Sequence, residues 1–201
     1  MKRLIIFILG LLMFWGANSF AEDVQPAAGE MDMNAKMAEV AKYSQPGENH
    51  KRLDVLVGKW NYTVKFQMSP ESEPEVSQGT NENKWVLGGR FIQSESKGEA
   101  TKNFPAFEGM GFVGYDNVKG EYNSVWLDNM GTSIMKATGQ FDTTANTLSE
   151  SGSFSCPLSE TKNMEFRTVW KIIDNDHYTY EMFMNDKGKE IKGIEISYER
   201  A

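Results

Sequence analysis

Histidine is scarce in this chain and cysteine nearly absent: 201 residues contain two histidines and one cysteine. A single cysteine excludes an intramolecular disulfide. Cys156, in "GSFSCPLSE", is read as a small buried thiol at a strand end. The alternative is an exposed thiol open to mixed or intermolecular disulfides. A nucleophilic thiol needs a base beside it, and the sequence names none. His50 and His177, far apart and with one cysteine, do not compose a zinc site. No Ser-His-Asp arrangement can be assembled from them either. Positive charge is also short, with 21 Lys and Arg against 28 Asp and Glu, a net charge of -7. Phosphates and anionic membrane surfaces repel such a chain, so nucleic acid is a poor partner. Long apolar runs are missing beyond the first residues. The one run, 4–16 ("LIIFILGLLMFWG"), is shorter than the roughly 20 residues a membrane helix needs.

That run has a basic start, Met1-Lys2-Arg3, and is followed by "ANSFA" with small residues Ser19 and Ala21. The three-part layout predicts a secretory signal over 1–21, cleaved after Ala21, and a periplasmic or secreted protein. An uncleaved anchor is the alternative. No cysteine follows the run, so lipid attachment there is excluded. Cleavage removes Lys2 and Arg3, leaving 19 basic against 28 acidic residues and a charge of -9. The remainder is long enough for one well-buried core.

Residues 22–47 are rich in Ala, Met, Glu, Pro and Gly. "EDVQPAAGE" reads as a tether, and "MDMNAKMAEVAKY" as a helix with Met33, Met37, Val40 and Ala41 at helical spacing. Gln45-Pro46-Gly47 ends it. A second short helix is expected in "ENHKRLDVLV", with Leu53, Leu56 and Val57 on one face, stopped by Gly58. From Gly58 onward the pattern has period two. In "WNYTVKFQM", Trp60, Tyr62, Val64, Phe66 and Met68 alternate with polar residues. Further strands are expected over 75–87, 90–97, 107–115, 121–127, 132–140, 147–155, 164–173, 177–185 and 190–200. Gly88-Gly89, "DNVKG", "DNMG", "DTTAN", "DND" and "NDKGK" supply the turns. Ten strands joined by short links predict an all-β, antiparallel, up-and-down barrel over 48–201, closed because an open sheet leaves two bare edges. On the last three strands the faces opposite the apolar ones carry Glu165, Arg167, Lys171, Thr179, Glu181, Glu195 and Glu199, the solvent side.

The Gly58-Lys59-Trp60 start, the short helix before it and Arg200 on the last strand resemble the calycin superfamily, which includes lipocalins and fatty-acid-binding proteins. The resemblance implies that Trp60 closes the barrel floor and meets Arg200 in a cation–π contact. Over 50–200, "HKRLDVLVGKW", "NKWVLGGRFIQ", "FEGMGFVGYDNVKGEYNSVWLDNMGTSIM", "GQFD" and "KGIEISYER" are similar to the bacterial exported family called domain of unknown function 1579. That family implies a calycin-like barrel and transfers no catalytic residue.

The candidate site residues follow from parity. Tyr62, Phe66, Trp85, Arg90, Trp126, Tyr180 and Tyr198 are the expected ligand-binding set, with Trp60 and Arg200 as the structural floor. Trp170 joins the candidate lining. A two-residue Gly88-Gly89 hairpin places Leu87 opposite Arg90 and Trp85 opposite Ile92. Arg90 then suits a carboxylate ligand, or an ion pair with Glu108 or Asp116. Tyr198 and Arg200 resemble the carboxylate-binding pair of fatty-acid-binding proteins, but Arg200 stands too near the end of the last strand to reach the cavity centre. Haem, as in nitrobindin-like barrels, wants an inward histidine, whereas His177 has outward parity. No cofactor and no metal is therefore expected. Met31, Met33 and Met37 are soft enough for Cu(I), and are read instead as helix-forming, packing residues. The "NYT" at Asn61 is incidental within a strand.

The reading preferred is an exported, non-catalytic barrel holding a small apolar or amphipathic molecule, with large inner side chains making its cavity narrow. The alternatives are an interaction protein with a filled barrel that docks through its N-terminal helix, and an enzyme using an inward carboxylate. Glu95, Glu108 and Asp116 are the carboxylates named for the last.

Overall fold

A computed structural model describes residues 28–201 apart from 68, 70, 71, 158 and 187. The expected signal segment, residues 22–27 of the tether and the side chain of Met31 lie outside the described residues. The chain divides into two compact units, Met1–Val40 and Ala41–Ala201. Helix α1, Ala28–Ser44, runs from the first into the second. It begins three residues before the expected start and ends ahead of Pro46, which cannot continue it. Its described side chains, from Asp32 on, are all exposed, Met33 and Met37 included.

The expected second helix is two separate turns. Helix α2 spans Glu48–Lys51, and a 3-10 turn spans Asp54–Leu56. Arg52 and Leu53 link them, and Leu53 and Leu56 point inward with 0% and 3% exposure. The ten strands are β1 Gly58–Phe66, β2 Glu75–Val86, β3 Phe91–Gly98, β4 Phe107–Asp116, β5 Glu121–Asp128, β6 Met135–Asp142, β7 Thr147–Ser155, β8 Asn163–Ile172, β9 His177–Asp186 and β10 Lys189–Arg200. Each pairs antiparallel with its neighbours in sequence, and β1 pairs with β10 to close the barrel. The β1–β10 register sets Trp60 opposite Arg200 and Tyr62 opposite Tyr198. This closure leaves no strand edge exposed.

Two boundaries differ instructively from expectation. The β2–β3 connection is four residues long, with Val86 paired to Phe91 and positive φ at Leu87, Gly88 and Gly89. Trp85 still faces Ile92, but Arg90 belongs to the turn and not to a strand. The sixth strand starts at Met135, because the preceding connection runs on through Ile134.

Odd strands run from a closed end to an open one. Short links 87–90, 117–120, 143–146 and 173–176 lie at the closed end, together with α2 and the 3-10 turn. Longer links 67–74, 99–106, 129–134 and 156–162 ring the open end. Apolar and aromatic side chains pack densely in the closed half, where Leu53, Leu56, Trp60, Ile92, Tyr122, Leu148 and Tyr178 are all nearly inaccessible.

Candidate functional site

The closed end is a plug held by side chains from the barrel wall. Trp60 Nε1 and Asn83 Nδ2 both donate to the Leu56 carbonyl, at 2.9 and 2.7 Å. Trp85 Nε1 donates to Asp54 Oδ1 at 2.8 Å, and the Tyr122 hydroxyl donates to the Asn49 carbonyl at 2.8 Å. Arg200 donates through Nη1 to the Val57 carbonyl at 3.0 Å and through Nη2 to the Val55 carbonyl at 3.2 Å. Its guanidinium lies 4.1 Å from the centre of the Trp60 ring, a cation–π contact. Gly58 makes this approach possible. It has φ +134, and a Cβ there would sit 2.5 Å from Arg200 Nη1. Apart from the Trp85 bond, which ends on a carboxylate, each bond satisfies a backbone carbonyl that the short turns leave without an intrahelical partner.

Above the plug the barrel is open. A cavity of about 1290 Å³ runs from the ring of Tyr180 and Tyr198 to the mouth at Phe104 and Met130. Its shape follows from an uneven inner surface. One wall, from β8 through β10 to β1, presents Phe166, Trp170, Tyr180, Met182, Tyr198 and Tyr62. Stacked rings stiffen it, with Tyr178 on Tyr198 at 4.2 Å between centres and Trp170 edge-on to Tyr180 at 4.8 Å. The facing wall, β2 to β7, presents Ser77, Ser94, Ser96, Gly111, Ser124 and Ala137. Small side chains on that wall leave the interior hollow. The narrow or filled interior expected from the large inner residues does not form, because most of them crowd one side and Trp126 lies flat against the other. Gly111 has a specific use: a Cβ there would lie 2.5 Å from the Trp126 ring, so its absence lets the indole lie flat on the wall. Trp126 Nε1 donates to Asp128 Oδ2 at 3.0 Å, and the ring stacks on Phe107.

A chain of buried polar groups lies beneath the cavity base. Ser96 donates to Asn81 Oδ1 at 2.5 Å, Asn81 Nδ2 donates to Asn83 Oδ1 at 2.7 Å, and Asn83 continues to the plug. This buried chain ties the small-residue wall to the floor. Glu150, on β7, is inside the barrel with 2% exposure. Trp170 Nε1 donates to its Oε2 at 3.1 Å. Ser124 and Thr168 set hydroxyls beside the carboxyl. Even so, Glu150 Oε1 and Thr168 Oγ1 are buried without a hydrogen-bond partner. Burial pushes the Glu150 carboxyl above its ordinary range, and the neighbouring donors Ser124, Trp170 and Thr168 pull it only partly back. Burial also raises the hydroxyls of Tyr180, Tyr198 and Tyr62, so all three stay neutral donors. Tyr122, at the plug, is pushed up to about 12 by burial.

Five of the seven expected ligand residues meet in this cavity: Tyr62, Phe66, Trp126, Tyr180 and Tyr198. Two do not. Trp85 and Arg90 lie at the closed end, Trp85 bonded to Asp54 and Arg90 donating to the Leu87 carbonyl at 3.0 Å. The longer turn is the reason, since it carries Arg90 beyond the last strand pair. Trp60 and Arg200 are in the floor. Of the carboxylates considered for catalysis, Glu95 pairs with Lys84 on the outside, Glu108 is exposed, and Asp116 accepts from Val118 and Lys119 in a surface turn. His50 is buried, with Nδ1 accepting from the Gly47 N–H at 3.1 Å, and His177 is exposed beside Asp174. Among the described residues no group of His, Cys, Asp and Glu is arranged to hold a metal ion. Cys156 lines the mouth, half-buried.

The sequence pattern of the family described as "Protein of unknown function (DUF1579)" matches residues 45–200. The chain belongs to the DUF1579 family. The matched span covers the plug, every strand and all of the cavity residues named above. No curated protein matches the chain. Among solved structures, this DUF1579 barrel is similar to Rv2717c from M. tuberculosis, with 16% identity and a TM-score of 0.59 over 78% of this chain and 99% of that one. That likeness is one of fold. A redesigned β-barrel, mFAP0, solved bound to DFHBI, matches with 11% identity and a TM-score of 0.41, covering 73% of this chain and 99% of that one.

Glu150 is the residue that parity places here and that the candidate set lacks. In "TLSESGSFS" it shares its phase with Leu148 and Phe154, both apolar. That phase carries the signal. A charged side chain within it reads as a strand defect unless the inward face is fixed first.

Proposed function

We propose that this chain is a non-catalytic binding barrel that holds one small, largely apolar molecule in the open half of its interior. The observation that carries the reading is the cavity of about 1290 Å³, closed by a bonded plug at one end and open at the other. Ligand pockets of drug-sized molecules run to about 300–1,000 Å³, so the space suits one such molecule with its entrance. Tyr62, Phe66, Trp126, Tyr180 and Tyr198 supply its contacts, and the Phe104 and Phe107 rings flank the way in. The filled-barrel reading loses its footing in a hollow interior. The proposed compartment is periplasmic or extracellular, reached by cleavage after Ala21. The outer face fits an aqueous setting, because it carries Lys65–Glu195, Arg167–Glu190 and Lys192–Glu181 pairs where a membrane barrel carries an apolar band. Among the described residues no helix is long and apolar enough to cross a membrane.

Nile red, a neutral dye that brightens in apolar surroundings, tests the reading. The protein is expected to bind one dye per chain with a blue-shifted emission. Ser94→Phe, which directs a ring into the space, is expected to weaken binding by about tenfold, or about 1.4 kcal/mol, with an unchanged circular dichroism spectrum. Equal binding by both proteins contradicts an interior site.

A further inference from the structure

The cavity has a charge preference that its apolar walls do not reveal. Its described lining includes the carboxylates of Glu75, Glu99, Asp128, Glu150 and Glu160, and no Lys, Arg or His. Arg90, the arginine expected near a ligand, and Arg200, expected in the floor, are both spent at the closed end, on backbone carbonyls. A fatty acid entering this mouth meets like charge throughout and finds no counter-ion at the base.

The base itself is incomplete. Glu150 is 2% exposed and faces into the cavity with Oε1 unpartnered, and Thr168 Oγ1 beside it is unpartnered as well. A buried acceptor without a donor costs about as much as a lost hydrogen bond, and such a group in a native interior calls for an explanation. Ser124 and Thr168 stand near enough to lower the carboxyl's pKa, but neither is in hydrogen-bonding geometry with Oε1, which leaves a place for a donor arriving from the cavity side. Trp170 and Tyr180 stand next to the carboxyl, and their rings meet edge-to-face at 4.8 Å. Aromatic faces beside a carboxylate are the surroundings that desolvated ammonium groups prefer.

We propose that the molecule held in the barrel is an amphipathic amine, seated with its ammonium on Glu150 and Thr168 at the cavity base and its apolar part directed to the mouth. The inference rests on the binding reading above and adds the ligand class. Of the groups facing Glu150, Ser124 from β5 and Thr168 and Trp170 from β8 do not titrate, and Tyr180 from β9 keeps its proton. Glu150 is therefore the group that responds to the ligand. In the empty barrel burial favours its neutral form. An arriving R–NH3+ stabilises the carboxylate, so the ion pair forms and the proton that Glu150 holds passes to solvent. The acidic mouth adds a local excess of cations over the bulk.

The test compares dodecylamine, dodecanol and dodecanoate by calorimetric titration below their micelle concentrations, at pH 7. Dodecylamine is expected to bind at least about tenfold more tightly than dodecanol, and dodecanoate least tightly of the three. Heats measured in buffers of different ionisation enthalpy, compared from pH 5 to pH 7, are expected to show proton release with the amine that grows as the pH falls, and none with the alcohol. Glu150→Gln is expected to erase the amine's advantage over dodecanol and the proton release that accompanies it. If dodecanol binds and the amine is not preferred, or if Glu150→Gln keeps the preference, the amine assignment is wrong and the binding barrel stands. If none of the three binds and Nile red is also refused, both fail.

Discussion

Glu150 concentrates the chemistry of this molecule in one side chain. Desolvation raises the folded-state pKa of a carboxyl buried among Trp170, Tyr180 and Thr168 above the unfolded value of about 4.3. The sign of the linkage follows. Its contribution to stability is fully present below the unfolded pKa and is lost as pH rises through the folded one. Glutamine does not titrate and has the same shape. Glu150→Gln is therefore expected to raise the melting temperature relative to the parent, by a margin that grows from pH 4 to pH 8. A margin that is flat or shrinks over that range, read by thermal unfolding, contradicts a buried neutral carboxyl. Single residues also mark where sequence reading succeeds. Trp60 and Arg200 were legible because each stands in a strand of strict alternation, and the closure of the barrel then brings them opposite one another. Arg90 was misplaced because a Gly-Gly pair signals a turn without giving its length. Leu87 takes φ 50 and lengthens that turn by two residues.

At the scale of elements, the plug is the part that makes a barrel into a vessel. α2 and the 3-10 turn are too short to be stable by themselves. They persist because Trp60, Asn83, Tyr122 and Arg200 bond their carbonyls and because Leu53 and Leu56 fill the space beneath the aromatic core. Leu53 is fully inaccessible, so Leu53→Ala removes packing on every side. The expected loss is about 2–5 kcal/mol in urea unfolding, the range for a buried Leu truncated to Ala. A loss below about 1 kcal/mol would show that the plug is an accessory. The helical spacing of Leu53 and Leu56 is visible in the chain, and so is the Gly58 stop. The break between α2 and the 3-10 turn is not, since it depends on wall side chains more than thirty residues away in sequence, such as Tyr122.

For the whole molecule, the hollow interior depends on how residue sizes are distributed around the barrel. Alternation along each strand tells which residues face inward but not which of them face each other across the interior. Tyr62, Trp170, Tyr180 and Tyr198 suggested a crowded core when taken strand by strand. Ser94, Ser96, Gly111 and Ser124 line the same interior from β3 to β5, and the space their small side chains leave contributes to the cavity. Strand count and closure were legible because ten alternating segments with turn chemistry between them admit few other arrangements. The cavity was not, because it is a property of the closed ring.

The central claim is that a ligand enters this space. Methionine methyl groups labelled with 13C report on it directly by NMR. Met135, Met182 and Met184 line the cavity, while Met33, Met37 and Met110 are exposed elsewhere. Titration with dodecylamine is expected to shift the first three methyl signals together and to leave the second three in place. Movement of Met33, Met37 or Met110 with the cavity methyls unchanged would place binding on the surface and contradict the account.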